Sequence, residues 1–301
     1  MAGETADGTV GPGPDGSRPV AVVTGASRGL GKGVAVALGD AGWTVYVTGR
    51  SAGVPTDADL GGTLEEAAAE VTRRGGHGVA AACDHRDDDQ VAAVFDRVQA
   101  EQGRLDLLVN NAFLLPDSFF SAQPFWERPL AEWDMVDVGL RSHYVAAVFA
   151  ARLMVPAGKG LIVNTSSFGA RYPSVPSISV AYGIGKVGVD RFTREGAGDL
   201  TPVGVTMVSL WPGLMRTERT LANFAANPEL LGDGMPLGLS ESPELSGRVI
   251  AAMAADPAVG RFAGKVVVGA EQAVEYGITD VDGTQPASLR TVYGGGPAEE
   301  G

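Results

Sequence analysis

From Pro19 to Gly269 the chain alternates short, almost wholly apolar β-branched runs with longer amphipathic ones, and few folds accept that pattern. "PVAVVTG", "TVYVTG", "GVAAAC", "LDLLVN", "GLIVNTS", "GVTMVSLWPG" and "GKVVVG" read as strands. Strands that are apolar at successive positions must be covered on both faces, which predicts a parallel sheet between two helical layers. The runs between them supply the helices. "GKGVAVALGDAG" ends at Gly42, "TLEEAAAEVTRRGG" carries Thr63 and Glu66 at capping-box spacing, and "DDDQVAAVFDRVQAEQG" opens with acidic residues at its positive end. "LAEWDMVDVGLRSHYVAAVFAARLMV" reads as one long helix, although Gly139 sits inside it, and "YGIGKVGVDRFTREGAGDL" and "ESPELSGRVIAAMAAD" complete the set. The expected fold class is α/β: a doubly wound parallel sheet of seven strands with helices on both faces. No linker interrupts the alternation, so a single domain is expected over residues 18–282. Residues 1–17, rich in Gly, Pro and acidic side chains, read as a disordered arm, and residues 283–301 as a flexible tail.

With 301 residues, 45% of them hydrophobic, the chain is long enough for one large domain or two small ones. The net charge of −13, with no basic run, sets nucleic acid aside as a partner and otherwise serves solubility. The lone cysteine, Cys83, excludes an intrachain disulfide and fits a reducing, cytoplasmic setting. The first residues lack the charged-then-apolar order of a signal peptide, and no apolar run reaches about 18 residues, so no membrane span is expected.

"TGASRGLG", Thr24 to Gly31, follows the first strand and opens the first helix. Its Gly25, Ser27, Arg28, Gly29, Leu30 and Gly31 make a tight turn whose backbone N–H groups can approach a pyrophosphate, as in a Rossmann-type dinucleotide fold. An ordinary strand-to-helix turn has similar glycines, but the strand, turn and helix together favour the nucleotide. The acid that takes the ribose hydroxyls is expected about 20 residues further on. The second strand instead ends "VTGRS", with Gly49 and Arg50 in that place. Arg28 and Arg50 without a carboxylate suit a 2′-phosphate, so NADPH is favoured over NADH, although either arginine also fits an open surface. Asp84, after the third strand, is placed to accept from an adenine amino group or to cap the next helix.

"AYGIGK" puts Tyr182 and Lys186 four apart, on one face of a helix. A phenol with a pKa of about 10 does little proton chemistry at neutral pH. A held ammonium beside it stabilises the phenolate and brings that pKa down.

"TGASRGLG", "NNA" at 110–112, "SS" at 166–167, "YGIGK" and "PGLMRT" at 212–217 stand in the order of the short-chain dehydrogenase/reductase family, which the chain resembles over nearly its whole ordered length. "VGLRSHY", "ARLMVPAGKGLIV", "ESPELSG" and "YGITDVDG" carry a nearer likeness to one animal member, whose apolar C-terminal region this chain replaces with a polar, Gly-rich tail. The resemblance implies an oxidoreductase acting on CH–OH and C=O groups, in which a carbonyl is reduced by hydride transfer. Tyr182 would be the general acid, Lys186 would tune it and hold the nicotinamide ribose, and Ser167 would polarise the carbonyl oxygen. Ser167 lies 15 residues before Tyr182, further than usual, and Ser166 is its easily confused neighbour. Asn111 and Ala112 would border the cofactor, with Asn110 supporting the strands, and Pro212, Gly213 and Thr217 would wrap the nicotinamide end. A homodimer or homotetramer is implied, with a small-molecule carbonyl or alcohol as substrate and no metal.

Two positions depart from the family pattern. "NNAF" puts Phe113 where the family has glycine, which is expected to reshape the loop entry. Gly139 stands where the long helix usually carries a water-holding asparagine. Backbone carbonyls or extra water would then approach at Gly139, and the relay behind the lysine would run through water alone or with His143, a residue that also fits plain packing. Phe119, Phe120, Phe125 and Trp126 of the long loop 113–133 are expected to line an apolar pocket for a bulky substrate, or else to bury an interface or anchor the loop. Residues 214–239 correspond to a mobile lid. The rival to a reductase is a non-catalytic dinucleotide-binding sensor or scaffold, for which Phe113 and Gly139 speak.

Overall fold

A computed structural model of the chain describes residues 17–121, 123–172, 179–226, 239–290 and 292. The expected N-terminal arm lies outside the described residues except for Ser17, as do 173–178 of the loop before Tyr182 and 227–238 of the lid. The seven strands are β1 (Val20–Thr24), β2 (Thr44–Gly49), β3 (His77–Ala82), β4 (Leu107–Asn110), β5 (Gly160–Thr165), β6 (Val205–Trp211) and β7 (Val266–Val268). All pair in parallel, in the order β3-β2-β1-β4-β5-β6-β7. The order reverses between β1 and β4, and there the carboxyl ends of the strands leave a crevice.

The helices are α1 (Gly29–Asp40), α2 (Leu64–Arg73), α3 (Asp88–Gln102), α4 (Asp134–Val136), α5 (Ser142–Ala157), α6 (Val180–Leu200), α7 (Glu218–Ala226), α8 (Pro243–Ala255) and α9 (Gly269–Glu275). β1, β2, β4 and β6 are buried at every position, and alternate side chains serve opposite layers. Ala21, Val23, Val45 and Val47 pack with α1, α2 and α8, whereas Val20, Val22 and Tyr46 pack with α3, α5 and α6. Thr63 caps α2 in a full capping box, its Oγ1 accepting from Glu66 N at 3.1 Å while Glu66 Oε2 accepts from Thr63 N at 3.0 Å.

Two expectations are corrected. The run from Leu130 is not one α-helix. A 3₁₀ turn (Leu130–Trp133) leads into α4, then a π-helical turn (Asp137–Arg141) centred on Gly139, then α5. Glycine is a weak helix former, and the wider turn falls where an aromatic ring presses on the backbone. By length and hydropathy this run, Leu130–Ala157, would suit a membrane span. Its Ala146, Ala150 and Met154 are nevertheless packed in the core between sheet and helices. The tail is also tighter than expected. Leu289 is buried against Phe168 and Trp211, and Arg290 pairs with Glu271 at 2.8 Å, so the chain is held to Arg290 rather than loosening at 283.

α1 and α8 meet backbone to backbone at Gly33 and Gly247. A Cβ at Gly247 would stand 2.7 Å from Val34 Cα and from Ala37 Cβ, closer than real atoms approach. Gly247→Ala is expected to lower stability by about 1–3 kcal/mol in denaturant unfolding, although alanine is the better helix former. Gly260→Ala, where nothing lies within 4 Å, is expected to change it by no more than about 0.5 kcal/mol.

Candidate active site

The turn after β1 is built by close approach. Gly25 and Gly29 take φ of 65° and 58°, a region that L side chains rarely adopt. A Cβ at Gly25 would sit 2.8 Å from Ala112 Cα, so the turn and the end of β4 touch through bare backbone. Gly31 lies beneath, against the Gly25 carbonyl and the Asn111 side chain. Thr24 fastens the two strands: its Oγ1 accepts from Asn111 N at 2.8 Å and Ala112 N at 2.9 Å, while Asn111 Nδ2 donates to Thr24 O at 2.9 Å. Asn110 looks the other way, donating to Asn164 Oδ1 at 2.9 Å and His143 O at 3.1 Å, a support for the strands.

Above this turn lies a cleft of about 290 Å³. Gly25, Ser27, Arg28, Gly29 and Leu30 form its floor. Arg50, Asp84, Asn111, Ala112 and Thr217 form its walls. Arg28 turns to the neighbouring loop, donating to Gly61 O at 3.0 Å. Asp84 is ion-paired with Arg86 at 2.7 Å, which holds its pKa down at about 2. It does not cap α3; Asp87 does, accepting from Asp89 N at 3.0 Å. His85, buried at the cleft lining, meets Thr48 Oγ1 at 2.8 Å, and burial pushes its pKa down to about 4. The Cys83 thiol is buried, and burial pushes its pKa up to about 12.

The N-terminus of α1 already holds an anion. Gly29 N donates to Glu218 Oε2 at 3.0 Å, so the first residue of α7 reaches across the cleft to the positive end of the helix. Residue spacing gave no sign of Glu218. The segment leading to it is clasped from below: Gly213 N donates to Glu241 Oε1 at 3.0 Å, and Arg216 pairs with Asp280 at 3.0 Å. Glu241 is buried, which raises its pKa to about 7. Gly213 thus belongs to the clasp, and Thr217 to the cleft wall.

Ser167, Tyr182 and Lys186 come together at the carboxyl end of β5. Tyr182 Oη donates to Ser167 Oγ at 2.8 Å, and that oxygen also accepts from Gly169 N at 3.1 Å. Ser166 points elsewhere, its hydroxyl donating to Lys186 O at 3.1 Å, which separates the two serines. Lys186 is buried with its Nζ donating to Thr165 O at 3.0 Å. Burial pushes its pKa down to about 8, and Asp190, one turn along α6, pulls against that shift. Asp190 accepts from Ser209 Oγ at 2.6 Å and from Trp211 Nε1 at 3.2 Å, and burial raises its pKa. The four-residue step from Lys186 to Asp190 is legible in the sequence once α6 is recognised.

Both departures from the family pattern fall here, in contact with each other. Phe113, the first residue of the loop, packs with Leu115 and Phe119 and reaches the helix as well. Its ring meets Tyr182 edge-on with centroids 5.8 Å apart, and Lys186 Nζ lies 4.8 Å from its centre. Gly139 does not leave room for water or carbonyls, because the Phe113 ring fills the space a side chain there would use. His143 is buried, with Nε2 3.1 Å from Ala112 O, and burial pushes its pKa down to about 3. Burial thus favours the neutral ring. Of the loop aromatics, Phe119 packs on Tyr182 at 5.2 Å between centroids. Phe125 and Trp126 do not line a pocket; they are 65% and 72% exposed. The Phe120 side chain lies outside the described residues. The loop is anchored instead by a buried pair, Arg128 and Glu132. Glu132 also accepts from Ser118 Oγ and from Ser179 Oγ, each at 2.6 Å, tying the loop to the start of α6.

The model of the short-chain dehydrogenase family matches residues 19–227. The chain belongs to that family. It is 42% identical over 274 residues to dehydrogenase/reductase SDR family member 1 of Mus musculus, covering 88% of this chain and 83% of that protein. It is 30% identical over 247 residues to a 3-oxoacyl-[acyl-carrier-protein] reductase of Synechocystis, covering 82% of this chain and 93% of that one. A solved short-chain type dehydrogenase/reductase from Mycobacterium marinum superposes with a TM-score of 0.70 at 31% identity, over 83% of this chain and 93% of its own. The chain is therefore an oxidoreductase of the class acting on CH–OH and C=O groups, in a family that uses nicotinamide dinucleotides.

A dinucleotide phosphate seated at this helix start would compete with the Glu218 carboxylate for the Gly29 N–H. Glu218→Gln is expected to tighten dinucleotide binding by roughly threefold to tenfold in a fluorescence titration. Unchanged affinity would show that the carboxylate leaves Gly29 at no cost.

Proposed function

We propose that this chain reduces a ketone or aldehyde to an alcohol, reversibly, with NADPH as its cofactor and Tyr182 as general acid. The observation that carries this is the 2.8 Å hydrogen bond from Tyr182 Oη to Ser167 Oγ above a buried Lys186. When bound, the reduced dinucleotide supplies a hydride to the carbonyl carbon. Ser167 and Tyr182, now bonded to each other, present two hydroxyl donors to an entering carbonyl oxygen, and Tyr182 gives it the proton. The Lys186 ammonium stabilises the phenolate left behind.

Gly25, Ser27, Gly29, Leu30 and Gly31 would hold the pyrophosphate, and Asn111, Ala112 and Thr217 would border the rest of the dinucleotide. Pro212 and Gly213 would keep the nicotinamide end in place. Arg28 and Arg50 line the same cleft with no acid at the end of β2, which supports NADPH over NADH. Phe119 beside Tyr182 favours a bulky, apolar substrate. The sensor reading loses its support, because Phe113 packs both on Gly139 and on Tyr182. The reading includes a cytoplasmic protein, in keeping with one buried, reduced Cys83. It also includes a homodimer or homotetramer, in keeping with exposed Tyr144, Ile184 and Val187 on α5 and α6.

Tyr182→Phe is expected to lower kcat for carbonyl reduction by about 10²–10⁴, leaving dinucleotide affinity unchanged. Full activity across a panel of ketones, aldehydes, quinones and steroids would remove Tyr182 from the chemistry. Replacing Arg28 and Arg50 together by alanine is expected to lower kcat/KM for NADPH by roughly tenfold to a hundredfold and to leave that for NADH nearly unchanged. An equal loss with both cofactors would contradict the 2′-phosphate assignment.

A further inference from the structure

We infer that Phe113 is a positioning residue for the reductase reaction, its ring face supporting the Lys186 ammonium and its edge bracing Tyr182, and that Gly139 is the cavity that admits the ring. The inference rests on the reductase reading of Tyr182 and Lys186 and adds a residue to it.

The geometry interlocks. A Cβ at Gly139 would stand 2.6 Å from Phe113 Cδ2 and 2.9 Å from Cε2, so any other residue there evicts the ring. The π-helical turn Asp137–Arg141 places that bare backbone beside it. On its other side the ring carries Lys186 Nζ, 4.8 Å from the centroid, with the Tyr182 ring 5.7 Å from the same ammonium. Lys186 is 6% exposed, and its one hydrogen-bond acceptor among the described residues is Thr165 O. No carboxylate among the described residues forms an ion pair with it. An ammonium with a single acceptor and little water needs another source of negative potential, and an aromatic face supplies it most strongly where water is excluded.

The charged and titratable groups around Lys186 are few. Asp190 acts from the same helix, neutral His143 from α5, and Tyr182 from the turn before. The Phe113 ring meets both the ammonium and the bare backbone at Gly139. Removing the ring face disfavours the charged lysine, and with it the phenolate that the charge stabilises.

The test reads the lysine without turnover. The chain has four lysines, so ¹³C-lysine NMR resolves Lys186, assigned by its loss in Lys186→Met. Phe113→Leu keeps an apolar side chain but removes the π face. It is expected to move the Lys186 midpoint down by about half a pH unit or more, roughly threefold in its acid constant, and to shift the alkaline limb of the pH–rate profile with it. Phe113→Tyr restores a ring face and is expected to restore the midpoint. Gly139→Ala, a change that favours helix, displaces the ring and is expected to reproduce the Phe113→Leu shift, with no further shift in the double variant. It also serves should Phe113→Leu fail to fold. An unchanged Lys186 midpoint in folded Phe113→Leu and Gly139→Ala, or a change confined to KM, would overturn the inference. Loss of turnover in the unmutated protein would instead overturn the reductase reading, and the lysine titration would stand apart from it.

Discussion

One ammonium buried under one phenol is the constraint around which the site is arranged. Lys186 sits 6% exposed with one backbone acceptor, and burial pushes its pKa down to about 8. A charge in that position is costly unless its surroundings oppose the shift. Asp190 opposes it from one turn further along α6, itself held by Ser209 and Trp211 on β6. The Phe113 ring covers another side. The folded pKa of Lys186 lies below its unfolded value, so the folded chain binds fewer protons between about 8 and the usual lysine range. The strain from this one charge is present at neutral pH and is relieved as pH rises through that window. A group kept at such expense in the core points to chemistry more than to stability.

The sheet delivers the parts to one place. β1 and β4 part at the reversal of strand order. Thr24 on one and Asn111 on the other close the gap by direct hydrogen bonds. β5 ends at Thr165, whose carbonyl takes Lys186, and two residues later Ser167 takes Tyr182. The loop that begins at Phe113 returns through Glu132 to Ser179, immediately before α6. The glycine turn, Tyr182 and the loop 113–133 are thus tied through short polar links, and the same Phe113 lines the cleft above the turn and touches Tyr182.

Much of this was legible in the sequence. The seven strands and the capping box at Thr63 follow from local composition and short-range spacing, which act within a few residues. The pairing of Tyr182 with Lys186, and of Ser167 with Tyr182, was also readable, by helix spacing and by motif order. What was not legible involves contacts across long stretches of chain. Phe113 and Gly139 each looked like a lapse when taken alone, because no periodicity links a loop residue to a helix residue 26 positions later. Glu218 reaches Gly29 across 189 positions, and Leu289 was assigned to a loose tail although it meets Phe168 and Trp211. Phe125 and Trp126 were readable as pocket lining, interface or loop anchor, and their exposure favours the interface, while the buried Arg128–Glu132 pair anchors the loop.

The account turns on whether Lys186 makes the Tyr182 phenol acidic. Ultraviolet difference titration of tyrosinate, taken against Tyr182→Phe, reads that phenol directly in the folded protein and in Lys186→Met. The account predicts a midpoint well below the ordinary tyrosine value of about 10 in the unmutated protein, rising to that value or above it in Lys186→Met. The same midpoint in both proteins would contradict it.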